Sequence, residues 1–157
     1  MPNLPPGCQV VADYLATGQA KLERRIFPTA GGELTYHAGQ VVECAEHQLL
    51  GTYWQAYDLL YGYATGGEYD NEIGRKVADE HGLDYAKLMN CVEYAQQVAR
   101  DTALAQESGV TGTPAIMMRV RDVEPEFITI DGFTRTGGGI DYEVLVQMIE
   151  DAQPEVL

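Results

Sequence analysis

The chain holds three sulfur nucleophiles, Cys8, Cys44 and Cys91. Cys8 stands just ahead of a short helical pattern, where a helix dipole favours a thiolate by about 1 kcal/mol. A thiolate there can attack a disulfide; the same position also suits a small side chain buried in a first helical turn. Cys44 and Cys91 fall inside helical patterns, where buried, unreactive thiols are expected. Cys44 and His47 are three apart with Glu43 beside them, a spacing that can turn two ligands toward a metal. No second ligand pair accompanies them, so no metal site is assigned. His37 and His81 read as surface or loop residues. The odd cysteine count leaves at least one thiol free, and no Cys-x-x-Cys occurs, which excludes a disulfide-stapled framework. A second chemical feature is Gly109-Val110-Thr111-Gly112-Thr113-Pro114-Ala115, which separates a helical pattern from an apolar run. The bond before Pro114 is of the one type that adopts cis at modest cost, and Gly109 and Gly112 give the freedom a sharp loop needs. An ordinary Gly/Pro turn would use the same residues.

The elements that must hold these residues are legible as alternating patterns. Residues 9–18 form a short helix with Val10, Val11, Tyr14 and Leu15 on one face and Gly18 as its stop. Residues 21–27 read as a strand ended by Pro28. From about 36 to 108 the periodicity is helical: 37–49, 52–63, 68–81 with Asp70 as cap, 85–93 capped by Asp84, and 94–107. Tyr53, Trp54, Tyr57, Tyr61 and Tyr63 make the second of these helices aromatic, for packing first and a substrate groove second. Residues 115–120 and 127–130 read as strands of a hairpin, Asp131-Gly132 as a turn, and Gly137-Gly138-Gly139 as a flexible link. Asp141 caps a last amphipathic helix running through Ala152. This order is α/β.

Composition narrows the function. With 157 residues and 45% hydrophobic content, the chain is one domain, or one domain with an insertion, with a real core. A net charge of −14 argues against nucleic acid and against anionic membrane surfaces. No apolar run reaches the length of a membrane span, and no signal peptide is visible at the start.

Helix, Gly-Val-Thr-Gly-Thr-Pro, strand resembles the cis-proline loop of the DsbA-like branch of thioredoxin-fold thiol–disulfide oxidoreductases. Other pieces follow in the family's order. Arg25-Ile26-Phe27-Pro28 resembles the strand end before the family's helical insertion. The stretch from His37-Ala38-Gly39 through Val42-Glu43-Cys44-Ala45-Glu46-His47 is similar to its first inserted helix, and Tyr53-Trp54-Gln55-Ala56-Tyr57-Asp58-Leu59-Leu60 to the next. Leu88-Met89-Asn90-Cys91 and Ala103-Leu104-Ala105 match the run into the loop. Ile130-Asp131-Gly132 and Gly139-Ile140-Asp141-Tyr142-Glu143-Val144-Leu145 resemble the closing hairpin and helix. The resemblance implies a thioredoxin-like α/β core, residues 1–35 and 109–157, with an all-helical insertion, residues 36–108, between the second strand and the cis-proline loop.

Two departures stand out. The family's Cys-x-x-Cys corresponds here to Pro5-Pro6-Gly7-Cys8, so Cys8 takes the resolving position and Pro5 stands where the nucleophile belongs. The two-thiol cycle cannot run without a thiol at position 5. The family's central first strand has no counterpart, because Pro2, Pro5 and Pro6 do not suit a sheet centre; a strand from a second chain is one way to fill it. The resemblance therefore implies an oxidoreductase acting on protein or peptide thiols and disulfides, with Cys8 as the surviving thiol, Thr113 and Pro114 as the substrate-side loop, and glutathione as a candidate resolving thiol. No cofactor is expected, and a homo-oligomer completing the sheet is a candidate assembly. Family members mostly work outside the cytoplasm. Two other functions fit the same residues: a redox-inactive module that keeps the peptide groove, and a glutathione-dependent transferase or isomerase on a related fold.

Overall fold

Apolar residues recur at helical spacing through the middle of the chain, and five helices form there: α1 (Gly32–Gln48), α2 (Tyr53–Gly66), α3 (Ile73–His81), α4 (Tyr85–Val92) and α5 (Gln97–Glu107). They belong to one compact unit, Arg25–Ser108, of the two in the chain. The computed structural model describes residues 11–152; Cys8 and the prolines before it lie outside the described residues. The helical unit is built around α1. Ala38, Val41, Val42, Cys44 and Ala45 of this helix are buried against Ala56 and Leu60 of α2, Ile73, Val77 and Ala78 of α3, and Leu88 and Val92 of α4. Each fully buried Val, Leu or Ile contributes about 1.5–3 kcal/mol. Small residues let the helices close: a Cβ on Gly39 would lie 2.6 Å from Val98 Cγ2 of α5.

Polar side chains decide where the helices begin. Asp84 caps α4 as its sequence position predicts, accepting the Lys87 N–H at 3.1 Å. Asp70 instead accepts the Glu72 N–H at 2.9 Å and pairs with Lys76 at 3.1 Å. Its side chain thus holds a turn, and α3 begins at Ile73 rather than at the expected residue 68. The expected helix from residue 94 likewise begins at Gln97. Gln40 takes the Val92 and Ala95 carbonyls with its amide, and Glu43 accepts the Gln97 N–H at 3.0 Å.

Glu46 provides the cap of α2. Thr52 is in the N-cap position, but its hydroxyl donates back to the Leu49 carbonyl. The Glu46 carboxylate accepts the Gly51 N–H at 2.9 Å and the Tyr53 N–H at 2.8 Å. These backbone N–H groups hold its pKa below the ordinary value. A depressed folded pKa contributes stability that is present above the unfolded value of about 4.3 and lost as pH falls through the folded pKa. Glu46→Gln is therefore expected to cost about 1 kcal/mol at neutral pH, the scale of a lost cap. The gap from wild type should narrow in urea titrations below pH 4; a constant gap would contradict the charged cap.

Two expectations are corrected in this unit. Residues 21–27 form no strand. The Ile26 N–H, which a strand would give to a neighbouring ladder, donates to Asp101 Oδ2 at 3.0 Å, and Arg25 Nη1 donates to Asp101 Oδ1 at 3.0 Å. The segment from Arg25 thereby joins the helices. Cys44 and Cys91 are not free thiols either; they form a disulfide with a Cα–Cα separation of 5.8 Å. The packing of α1 on α4 brings the two together across 47 residues of sequence.

The other unit comprises Met1–Arg24 and Gly109–Leu157. Its described part starts with a single π-type helical turn, Val11–Leu15, closed by Gly18 at φ 75°. Four short strands follow: β1 (Met117–Met118), β2 (Glu126–Phe127), β3 (Thr129–Ile130) and β4 (Phe133–Thr134). β1 pairs antiparallel with β2, Met117 opposite Phe127, and β3 with β4, Ile130 opposite Phe133. Ile128, between β2 and β3, is buried, and its carbonyl accepts the Arg135 N–H at 2.8 Å. Strand 126–130 thus serves one neighbour with its first half and another with its second. Asp131 and Gly132 both take positive φ, 51° and 80°, as a two-residue turn between antiparallel strands requires. Helix α6 (Tyr142–Ala152) closes the unit, with Tyr142 donating to Asp13 at 3.0 Å and Tyr14 to Glu150 at 3.0 Å.

Candidate functional site

Of the three residues singled out for chemistry, Thr113 and Pro114 are described and Cys8 lies outside the described residues. Gly109 takes φ 77°, a value that suits glycine, and opens the loop. The Thr113–Pro114 peptide bond is cis. Both residues are exposed, and the chain enters β1 three residues later.

The loop is held from one side by Thr136 and by Gly137, the first residue of the link expected to be flexible. The Thr111 N–H donates to the Thr136 carbonyl at 2.9 Å, and the Thr111 and Thr136 hydroxyls lie 2.9 Å apart. Gly137 follows directly against the loop backbone: a Cβ there would stand 2.8 Å from the Gly112 nitrogen, 3.1 Å from Thr111 Oγ1 and 3.2 Å from Gly112 Cα. Only glycine permits that approach. The first of three consecutive glycines is thus a contact residue, and a run of glycines gives no sign of which member is crowded.

The second sulfur centre, Cys44–Cys91, sits in the helical unit. Cys44 is buried in the core, Cys91 is half-buried, and His47 Nδ1 stands 3.9 Å from Cys91 Sγ. An external thiolate reaches Cys91 more readily than Cys44, and attack there expels Cys44 as a thiolate into apolar surroundings, which disfavour charge. This arrangement suits a structural bridge. It also removes Cys44 as a metal ligand, and no group of three His, Cys, Asp or Glu residues among those described is placed to hold a metal ion.

The aromatic helix divides its residues as its amphipathic spacing dictates. Tyr53, Tyr57 and Tyr63 pack against the core, while Trp54 and Tyr61 are exposed. The unit also has a cavity of about 910 Å³ near the start of α1, lined by Pro28, Glu33, Leu34, His37 and Thr102 among others. Burial pushes the His37 pKa below its ordinary value, which favours the neutral ring. Glu33 and His37 stand a helical turn apart in its lining.

A family model described as Thioredoxin matches residues 6–136, a span that includes Cys8, the helical unit and the Thr113–Pro114 loop. No curated protein and no solved structure matches the chain.

Proposed function

The chain belongs to the thioredoxin family, and on that premise we propose that it is a DsbA-like protein that exchanges thiols and disulfides on protein or peptide partners. In this reading residues 1–35 and 109–157 are the core, residues 36–108 the helical insertion, Cys8 the reacting thiol, and Thr113 and Pro114 the surface that receives the partner chain. The observation that carries it is the loop itself: Thr113 and Pro114 exposed beside β1, with Thr111 and Gly112 braced from behind by Thr136 and Gly137. An exposed loop next to a strand suits recognition of an extended peptide. The Cys44–Cys91 disulfide supports an oxidising compartment, where such bonds persist.

With Pro5 in place of a first cysteine, the exchange proceeds through one thiol. The Cys8 thiolate attacks one sulfur of a partner disulfide; a bond forms between Cys8 and that sulfur, and the other sulfur leaves as a thiolate. A glutathione thiolate then attacks the partner's sulfur. It returns Cys8 as a thiolate and leaves a glutathione–partner disulfide, so one disulfide is exchanged for another with no net oxidant.

The test is the pH dependence of Cys8 alkylation in the folded protein. Cys44 and Cys91 are paired and do not label, so the signal belongs to Cys8 alone. An apparent pKa well below about 8.5 is expected, together with loss of disulfide exchange in Cys8→Ser. Slow labelling and equal activity of the two proteins would overturn the catalytic reading. Pro5 favours a second reading, a binding module without redox chemistry. It requires peptide binding that survives Cys8→Ser and is lost on substitution of Thr113 or Pro114.

A further inference from the structure

The spacing of Cys44 and His47 turns both toward a sulfur instead of a metal. Three residues apart, they share a face of α1, and Cys91 on α4 meets both: its sulfur is bonded to Cys44 and stands 3.9 Å from His47 Nδ1. The three groups differ in access. Cys44 is 1% exposed, Cys91 is half-buried and His47 is exposed. When the bridge is open, a small disulfide arriving from solvent therefore meets Cys91 before Cys44. The two thiols also differ in charge. Apolar neighbours disfavour a thiolate on Cys44, whereas one on Cys91 has an imidazole beside it to carry the counter-charge. Cys91 lies in the last turn of α4, where the helix dipole opposes an anion, so that counter-charge falls to His47. His47 lies in the last turn of α1, where the same effect favours a cation, and the Glu46 carboxylate attracts it as well. The remaining charges nearby already have partners. Glu46 accepts the Gly51 and Tyr53 N–H groups, Glu43 accepts the Gln97 N–H, and on α4 Lys87 pairs with Asp84 at 3.7 Å.

We infer that in the dithiol form of the chain Cys91 and His47 are a reactive thiolate–imidazolium pair that takes low-molecular-weight disulfides such as glutathione disulfide, and that this pair closes the Cys44–Cys91 bridge. In the first step the Cys91 thiolate attacks one sulfur of glutathione disulfide. A bond forms between Cys91 and that sulfur, the glutathione S–S bond breaks, and the departing glutathione thiolate takes the His47 proton. In the second step Cys44 attacks the Cys91 sulfur. The Cys44–Cys91 bond forms, and the second glutathione leaves with the Cys44 proton. The dithiol loses two electrons, and glutathione disulfide is reduced to two glutathione thiols. Cys44 needs no access to solvent, because its attack is intramolecular. The sequence uses neither Cys8 nor Pro114 and stands apart from the function proposed above.

The experiment uses the full chain, reduced with dithiothreitol, desalted, and mixed with glutathione disulfide in sucrose, which favours the compact state. Acid-quenched samples are digested, and mass spectrometry scores each cysteine on its own peptide. Glutathione is expected first on Cys91 and not on Cys44, and to accumulate on Cys91 in Cys44→Ala. The apparent pKa of the Cys91 reaction should lie well below about 8.5. His47→Asn keeps an amide near the Nδ1 position without the charge. It should return the apparent pKa to about 8.5 and slow the reaction about fivefold at pH 6, with little change at pH 9 and an unaltered melting temperature of the bridged protein. First modification at Cys44 would overturn the inference. So would a Cys91 pKa matching that of the urea-unfolded chain, or one unchanged by His47→Asn, which would leave Lys87 as the source of the effect. Closure that fails in Cys8→Ser would also overturn it, by routing the oxidant through Cys8. Alkylation of Cys8 is read separately, so either proposal can fail while the other stands.

Discussion

Reducing the Cys44–Cys91 disulfide, or replacing both cysteines with alanine, is expected to lower the unfolding free energy by about 4 kcal/mol. The bridge closes a loop of 47 residues between α1 and α4. In the chain-entropy treatment a bridge constrains the unfolded ensemble by about 3 kcal/mol for a 15-residue loop and about 4.7 for a 100-residue loop, so this one falls between. Domain stabilities run at about 5–15 kcal/mol, so the loss would be a large fraction of the whole. For a chain of this size it corresponds to a drop of about 8–16 °C in melting temperature. Guanidinium titrations of oxidised and dithiothreitol-reduced protein give the cross-link contribution directly, because the side chains are otherwise the same. The double alanine variant adds the packing lost around Cys44, which lies in the core beside Val41 and Ala45. Equal midpoints for oxidised and reduced protein would show that the helical unit does not depend on the bridge. The half-buried Cys91 and deeply buried Cys44 also predict slow reduction without denaturant.

The helices of this chain were legible because their signals are local. Asp84 before an apolar-periodic run marks a cap, and Asp131-Gly132 between two β-prone runs marks a turn; both hold in the structure. The strand expected over residues 21–27 failed because strand pairing depends on a partner, and a β-prone run carries no information about whether one is beside it. Here an aspartate on α5 took the Ile26 N–H instead. The disulfide was illegible for a related reason. Helical spacing shows that Cys44 and Cys91 each face inward, but not that α1 and α4 pack with those faces in register. At the candidate site, the loop through Thr113 and Pro114 could be read from its Gly and Pro residues. Its support by Thr136 and Gly137 could not, since it depends on a contact between segments 25 residues apart.

Asp101→Ala is expected to cost about 3 kcal/mol. Asp101 sits on α5 in a pattern that reads as an ordinary charged helix position, yet its side chain is only 4% exposed. Its two oxygens meet three donors: Oδ1 accepts from Arg25 Nη1 at 3.0 Å and from Gln97 Nε2 at 2.8 Å, and Oδ2 accepts from the Ile26 N–H at 3.0 Å. Hydrogen bonds to a charged group contribute about 1.5–3 kcal/mol each, and a buried donor left without a partner costs about 1–3. The three are not fully additive. Arg25 is 46% exposed and recovers water when the carboxylate is gone, which discounts its share. Ile26 has less recourse, because the residue is half-buried, with its side chain packed against Gly39, and a backbone N–H cannot swing out to water as the Arg25 side chain can. Asp101→Asn separates geometry from charge. Whichever way the amide turns, its NH2 faces a donor that the carboxylate oxygen had served; if that donor is Gln97, a flip of the Gln97 amide relieves one contact. The asparagine variant should therefore lose about 2 kcal/mol, less than alanine but far more than a surface substitution. Arg25→Met should lose less than 1 kcal/mol, since it removes only the exposed partner. Equal losses for Arg25→Met and Asp101→Ala would make the ion pair the main contribution. The expected order, with Asp101→Ala largest, would make the Ile26 N–H the contact that keeps residues 25–26 with the helices instead of in a strand.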